Sequence, residues 1–293
     1  MSAASHERVC RFQPQGGTGP TRIGAVSDET VVDLSAAGVT SLATVLDAVD
    51  PAAAVRTARI AGGERFALAD VVLLAPVDRQ EVWAAGVTYL RSKTARMQES
   101  DFSATAYDRV YDAPRPELFF KAVAEKVVGP GDGLGIRGDA RWNVPEPELA
   151  LVMNARGELV GCTIGNDMSS RDIEGENLLY LPQAKTYDRS CGLGPWIVLG
   201  CDEHEARGWT IAITISRADR EVFTGQTRID RIKRSFHELT EYLWRSQSFA
   251  HGVVLLTGTG VVPDDSFTLA ADDRIVIEVD GIGRLENRVL IVA

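Results

Sequence analysis

Short apolar runs, each closed by a polar or glycine-rich turn, recur along the whole chain, a pattern that predicts a strand-rich protein with few helices. Near the N-terminus, Arg22-Ile23-Gly24-Ala25-Val26 and Thr30-Val31-Val32-Asp33-Leu34 read as strands. Ser41 is placed to cap a helical stretch that runs to Val49 and ends near Pro51. The run Val71-Val72-Leu73-Leu74-Ala75 closes this unit, and Pro76-Val77-Asp78 reads as a linker. A small N-terminal domain over residues 1–77 and a larger one over 78–293 are therefore expected. In the larger part, the buried strand starting at Glu81-Val82-Trp83-Ala84-Ala85 enters a polar segment, Arg91 to Ser100. That segment has helix-forming residues but little apolar periodicity, as suits a surface helix or lid. Further strands are expected at Pro116–Lys121, Trp196–Leu199, Thr210–Ile215, Glu221–Thr224, Val253–Leu256 and Arg274–Val279. An amphipathic helix from Ser235 to Trp244 turns Phe236, Leu239, Leu243 and Trp244 inward. The fold class is α+β, mainly β.

One stretch stands apart, Trp142-Asn143-Val144-Pro145-Glu146-Pro147-Glu148-Leu149-Ala150-Leu151-Val152. Prolines on either side of Glu146 exclude a helix interior, so the segment is extended, and residues two apart in an extended chain point to the same side. Glu146 and Glu148 thus face one place. The turn-like Asn154-Ala155-Arg156-Gly157 then separates two apolar runs, which predicts a hairpin. Its second arm ends in Gly165-Asn166-Asp167 and would return Asp167 to the glutamates. Three converging carboxylates repel one another unless they share protons or hold a cation. An oxygen-only set suits a hard ion such as Mg²⁺, with Mn²⁺ or Ca²⁺ as substitutes. The competing reading is an exposed acidic edge strand.

Composition narrows the function without naming it. A net charge of −10 and the lack of any Lys/Arg cluster argue against nucleic acid and anionic membranes as partners, and no apolar run approaches spanning length. A small anionic substrate remains compatible, since a bound metal and a few local cations set the potential in a pocket. The cysteines, Cys10, Cys162, Cys191 and Cys201, show no Cys-x-x-Cys spacing and read as reduced thiols of a cytoplasmic protein. The N-terminus has no apolar leader-like core. Gly133-Leu134-Gly135-Ile136-Arg137-Gly138 has the spacing of a dinucleotide loop, but it leads into a proline-rich strand and not a helix, so that reading is rejected.

Several motifs in order resemble the fumarylacetoacetate hydrolase superfamily over about residues 81–262. They are Gly86-x-Thr88-Tyr89, Phe119-x-Lys121, Glu146-x-Glu148, Gly165-Asn166-Asp167-x-Ser169-x-Arg171-Asp172, Lys185-x-x-Asp188, Gly194-Pro195-Trp196 and Thr257-Gly258-Thr259. The resemblance implies a rolled mixed β-sandwich with a small N-terminal domain. It also implies Mg²⁺ on Glu146, Glu148 and Asp167, with Lys185 and Thr259 beside the substrate, and a homodimer or larger homo-oligomer such as a tetramer. Carbon-carbon bond hydrolases of the superfamily carry a His-Glu dyad that activates water, whereas this chain has Ser92 and Ala95 at those positions. Neither side chain accepts a proton near neutral pH. None of His6, His204, His237 and His251 lies in a family motif.

Within the superfamily, the contexts of Thr88 to Ser92, Pro116 to Lys121 and Tyr180 to Asp188 look most like the branch that dehydrates 2-keto-3-deoxy sugar acids. That likeness implies a Mg²⁺-dependent lyase turning a 2-keto-3-deoxy pentonate into 2,5-dioxopentanoate. A hydrolase or decarboxylase of a β-diketo or oxo-diacid, acylpyruvase-like, is the alternative. In the dehydratase reading a proton leaves C3 and the hydroxyl leaves C4, and the enol tautomerises to the aldehyde. Glu117 is the candidate acid or base and Lys185 the cation facing the carboxylate or enolate. Thr88, Tyr89, Arg91, Ser92 and Thr259 are candidate substrate-binding residues. Arg171 and Asp172 are expected to hold the metal loop, and Lys121 either serves the site or pairs structurally with a carboxylate.

Overall fold

The computed structural model describes residues 6–17, 19–90 and 109–293. The expected lid from Arg91 to Ser100 lies outside the described residues. Two large sheets carry the described fold, and Asn143–Val144 pairs with Ser169–Ser170 in a third of two strands. The larger has twelve strands, and its main path runs from the N-terminal strands Arg65–Ala67, Thr30–Asp33, Arg22–Ser27 and Arg8–Pro14 to Cys191–Leu199. It continues through Leu159–Asp167, Pro147–Met153, Val253–Leu256 and Glu81–Gly86 to the edge strand Glu117–Ala122. A five-stranded sheet is ordered Arg220–Arg228, Thr210–Arg217, Arg274–Val279, Gly283–Val292 and Gly133–Arg137. The mainly β, mixed-sheet architecture expected from the sequence is the one observed.

The period of two in each strand places the core. Leu149, Leu151 and Met153 belong to one buried cluster with Ile211, Ile213 and Ile215 of the smaller sheet. The alternate residues Ala150 and Val152 belong to a second cluster with Leu42, Leu46 and Val55 of the N-terminal helices. A strand covered on both faces is apolar along most of its length: all seven residues of Pro147–Met153 are buried, and Glu148 is their one charged member. Thr210–Arg217, with one covered face, alternates instead.

Local chemistry explains where the structure departs from the expectations. Pro51 does not end a helix: Leu42–Leu46 is a short helix capped by Ser41, and Pro51 opens a second one, Pro51–Ala61. Asp50 caps that helix by accepting from the Ala53 amide at 2.9 Å, and a proline in the first turn loses no hydrogen bond. Arg8–Pro14 is a strand the apolar pattern did not announce. It joins the first unit to the rest by pairing Arg8 with Val198 and Val9 with Ile197. The glycine-rich Cys191–Pro195 is part of one strand with Trp196–Leu199, through a cis Gly194–Pro195 bond. The helix at Phe236–Trp244 forms as expected, with Ser235 accepting from the Glu238 amide. The all-reduced reading is corrected: Cys162 and Cys201 form a disulfide, while Cys10 and Cys191 are free and buried. Pairing of Gly161 with Leu199 brings the two half-cystines together, which sequence spacing does not reveal. Among the described residues no helix is long and apolar enough to cross a membrane.

Candidate metal centre and active site

The hairpin builds the centre of the site. Pro147–Met153 runs antiparallel to Leu159–Asp167, with Pro147 opposite Asn166 and Glu148 opposite Gly165. The amide of Asp167 donates to the Glu146 carbonyl at 2.9 Å, and the Glu146 amide donates to Asn166 Oδ1 at 3.2 Å. Asp167 therefore comes back beside the glutamates, and one oxygen from each of Glu146, Glu148 and Asp167 lies within 4.8 Å of the others. All three are buried, at 3%, 1% and 1% exposure, which removes the reading of a solvated acidic edge.

Buried cations surround them. Lys185, at the end of a short helix, donates to Glu146 Oε2 at 2.8 Å, to Asp167 Oδ2 at 3.0 Å and to Ser169 Oγ. Arg171 pairs with the other oxygen of Glu146 at 2.5 Å, and its Nε lies 4.0 Å from Glu174 Oε2. Lys121 pairs with Asp167 Oδ1. Among the described residues no lysine or arginine is paired with Glu148; its Oε2 accepts from the backbone amide of Gly258. Burial, followed by the charges of Asp167 and Glu146, holds the Glu148 carboxyl well above the usual range against the opposing pull of Lys185 and the Gly258 amide. An all-oxygen, buried set of three carboxylates, with Glu148 held by a backbone amide in place of a direct ion pair, fits a hard divalent cation.

The neighbouring elements close the pocket, which is lined by Ala85, Gly86, Val87, Phe119, Gly258 and Thr259 together with the charged groups. Glu117 is half-buried at the start of the edge strand, opposite Gly86. A Cβ on Gly86 would sit 2.0 Å from Glu117 Oε2, so the missing side chain is what lets this carboxylate lie over the pocket wall. Val87 holds φ +52°, a conformation rare for a β-branched residue and one that must be imposed by the strand end and the pocket around it.

Thr88 is fully buried and donates to the Thr257 carbonyl at 2.6 Å, bracing the Thr257-Gly258-Thr259 loop. Tyr89 is 1% exposed, packs its ring against Gly260 and does not line the pocket; burial, then the charge of Glu148, raises its hydroxyl pKa. Thr259 lines the pocket and donates to the Val261 carbonyl at 3.0 Å. Asp172 accepts from the Arg141 amide at 2.8 Å, tying down the turn before the metal-site strand. Arg91 and Ser92 lie outside the described residues. The glycine-rich turn at Thr259 was expected to offer its amides to a carboxylate, and the Gly258 amide donates to that of Glu148. Ser169 also touches the charged groups directly, yet the sequence reading gave it no role, although its place two residues after Asp167 was a signal.

The chain is similar to known proteins over most of its length. The family model described as fumarylacetoacetate (FAA) hydrolase C-terminal matches residues 81–290. The probable 2-keto-3-deoxyxylonate dehydratase of Haloferax volcanii is 44% identical over 282 residues, covering 93% of this chain and 96% of that protein. The 2-dehydro-3-deoxy-D-arabinonate dehydratase of Saccharolobus solfataricus is 37% identical over 223 residues, 75% of each chain. The structure of 2-keto-3-deoxy-D-arabinonate dehydratase complexed with magnesium and 2,5-dioxopentanoate superimposes with a TM-score of 0.81 at 30% identity, covering 97% of this chain and 99% of that one. With most of its length matched by the family model and 44% identity to one relative over 93% of the chain, the chain belongs to the fumarylacetoacetate hydrolase family.

Proposed function

We propose that the protein is a Mg²⁺-dependent dehydratase of a 2-keto-3-deoxy pentonate, releasing water and 2,5-dioxopentanoate. The observation that carries this reading is the meeting of Glu146, Glu148, Asp167 and Lys185 in one buried pocket, in a chain 44% identical to a protein named for that reaction type. The dehydratase solved with magnesium and 2,5-dioxopentanoate supports the choice of ion and product. Ser92 and Ala95 at the dyad positions support elimination over hydrolysis, because elimination requires no activated water.

Glu146, Glu148 and Asp167 would hold the ion, which supplies Lewis acidity to a 2-oxo acid when bound. Lys185 faces the negative charge of the substrate carboxylate or the developing enolate. Glu117, its carboxylate above Gly86, moves a proton at C3 or at the departing C4 hydroxyl. Loss of one C3 proton and the C4 hydroxyl removes one water, and rearrangement of the resulting unsaturated alcohol gives the aldehyde. Arg171 fixes Glu146 and Asp172 fixes the adjoining turn. Thr88 and Tyr89 serve by shaping the loop that presents Thr259, and Arg91 and Ser92 are assigned to the substrate hydroxyls. We assign the enzyme to the cytoplasm and to a homo-oligomer, which a sizing measurement tests.

Incubating the protein with Mg²⁺ and a panel of 2-keto-3-deoxy acids and acylpyruvates, with products identified by mass, decides the activity. Loss of 18 mass units, the mass of one water, with appearance of an aldehyde is the expected result (about 18 for a single dehydration). Acylpyruvate cleavage without any dehydration would establish the hydrolase alternative, and unchanged turnover by Glu146→Gln would remove the metal from the mechanism.

A further inference from the structure

Lys121 is the buried charge that the reaction scheme leaves without a task. It sits in the edge strand Glu117–Ala122, where Val82 pairs with Ala122 but Trp83 pairs with Phe120, so Lys121 is the extra residue of a β-bulge. Bulges of this kind re-aim a side chain and gather beside active sites. Here the bulge sends a lysine inward to 0% exposure. Its Nζ forms an ion pair with Asp167 Oδ1, donates to the Met168 carbonyl at 3.0 Å and to the Lys185 carbonyl, and lies 6.0 Å from the centre of the Tyr187 ring. Asp167 Oδ2 shares the Lys185 ammonium with Glu146 Oε2.

We propose that Lys121 is a positioning residue for the metal centre. It holds Asp167 by Oδ1 and so leaves Oδ2 to the Lys185 ammonium that Glu146 shares. Without this ammonium, the Asp167 carboxylate would be buried with one oxygen uncompensated and free to rotate away from Glu146. The inference rests on the metal centre of the proposed function and adds to it the residue that orients one of its ligands.

Mn²⁺ binding to the purified full chain, followed by the paramagnetic resonance signal of free Mn²⁺, tests the assignment without any substrate. Lys121→Met is expected to weaken Mn²⁺ binding roughly 10- to 100-fold, the usual effect of removing the partner of a metal-ligating carboxylate, and Lys121→Arg to recover part of the loss. Because the effect runs through Asp167, Asp167→Asn and the pair Lys121→Met/Asp167→Asn should bind Mn²⁺ equally. A folded Lys121→Met protein with unchanged Mn²⁺ affinity overturns the proposal. If Lys121→Met alone does not fold, the pair still decides, since a further loss of affinity beyond Asp167→Asn overturns it and equality supports it. Wild-type protein that binds no Mn²⁺ would instead overturn the metal centre itself, which keeps the two failures distinct.

Discussion

Gly258→Ala probes how the glycine loop is fitted to the metal-site strand. Gly258 holds φ +92°, and a Cβ there would lie 2.0 Å from Thr88 Oγ1 and 3.1 Å from the Ala85 carbonyl. The backbone term costs about 1–2 kcal/mol for a residue with a side chain in the left-handed region. Relieving the clash requires the Thr88 hydroxyl to leave the Thr257 carbonyl, and breaking a fully buried hydrogen bond costs about 1–3 kcal/mol more. The sum, about 2–5 kcal/mol, should lower the melting temperature of the metal-free protein by roughly 5–15 °C in a domain of this size. The Gly258 amide also donates to Glu148, so the stabilisation by added Mg²⁺ should shrink as well. Differential scanning fluorimetry with and without Mg²⁺ measures both. Thr88→Ala removes the obstructing oxygen, so it should cost less in the Gly258→Ala background than in the wild type. A Gly258→Ala protein melting within 2 °C of wild type (about the scatter of surface substitutions), with strictly additive Thr88→Ala, would refute the account.

Further outcomes follow from the same geometry. Glu148→Gln should stabilise the metal-free protein while abolishing its response to Mg²⁺. Because the folded carboxyl titrates above its unfolded value of about 4.3, its protonated form favours the fold, so stability of metal-free wild type should fall as pH rises through the Glu148 titration. A calorimetric pH series in which Gln does not flatten that decline counts against it. Mg²⁺ at about 100 times its Kd should add about 2.7 kcal/mol to unfolding and EDTA should reverse this; a melting point indifferent to both would exclude binding to the native state. Thiol titration should find no reactive cysteine in the native protein, two after denaturation and four after reduction. Cys10 and Cys191 are buried, with thiols pushed up to about 12, and Cys162 and Cys201 are bonded. Reduction should also cost about 4 kcal/mol of stability, from the chain entropy of a loop spanning 39 residues.

What could be read from the sequence was local, and what could not was set by register between strands. Two prolines around Glu146 and a four-residue turn were enough to return Asp167 to the glutamates, because each step depends on backbone geometry within one hairpin. Pro51 misled because proline stops a helix and starts one equally well; the deciding group was Asp50, whose carboxylate caps the second helix. Gly283–Val292 escaped because Asn287, a polar residue on its inward face, breaks the alternation. That amide is buried because it donates to the carbonyls of Gly129 and Asp132 across the fold. The Cys162–Cys201 bond and the inward turn of Lys121 depend on which residues of two distant strands lie opposite one another.

The charge of the pocket belongs to the same class. Counted as ionised, the carboxylates of Glu146, Glu148, Asp167 and Glu174 face the cations Lys121, Arg171 and Lys185. These groups come from the edge strand, the hairpin and the helices that follow it, so no window of sequence contains the sum. Assembled, and with Glu117 at the pocket wall left aside, these groups carry one negative charge if all are ionised and none while the Glu148 carboxyl keeps its proton. A divalent cation that displaced that proton would leave the cluster with one positive charge. The two lysines and Arg171 thus hold the metal-free cluster near neutrality, and loading with the ion should favour a small organic anion there.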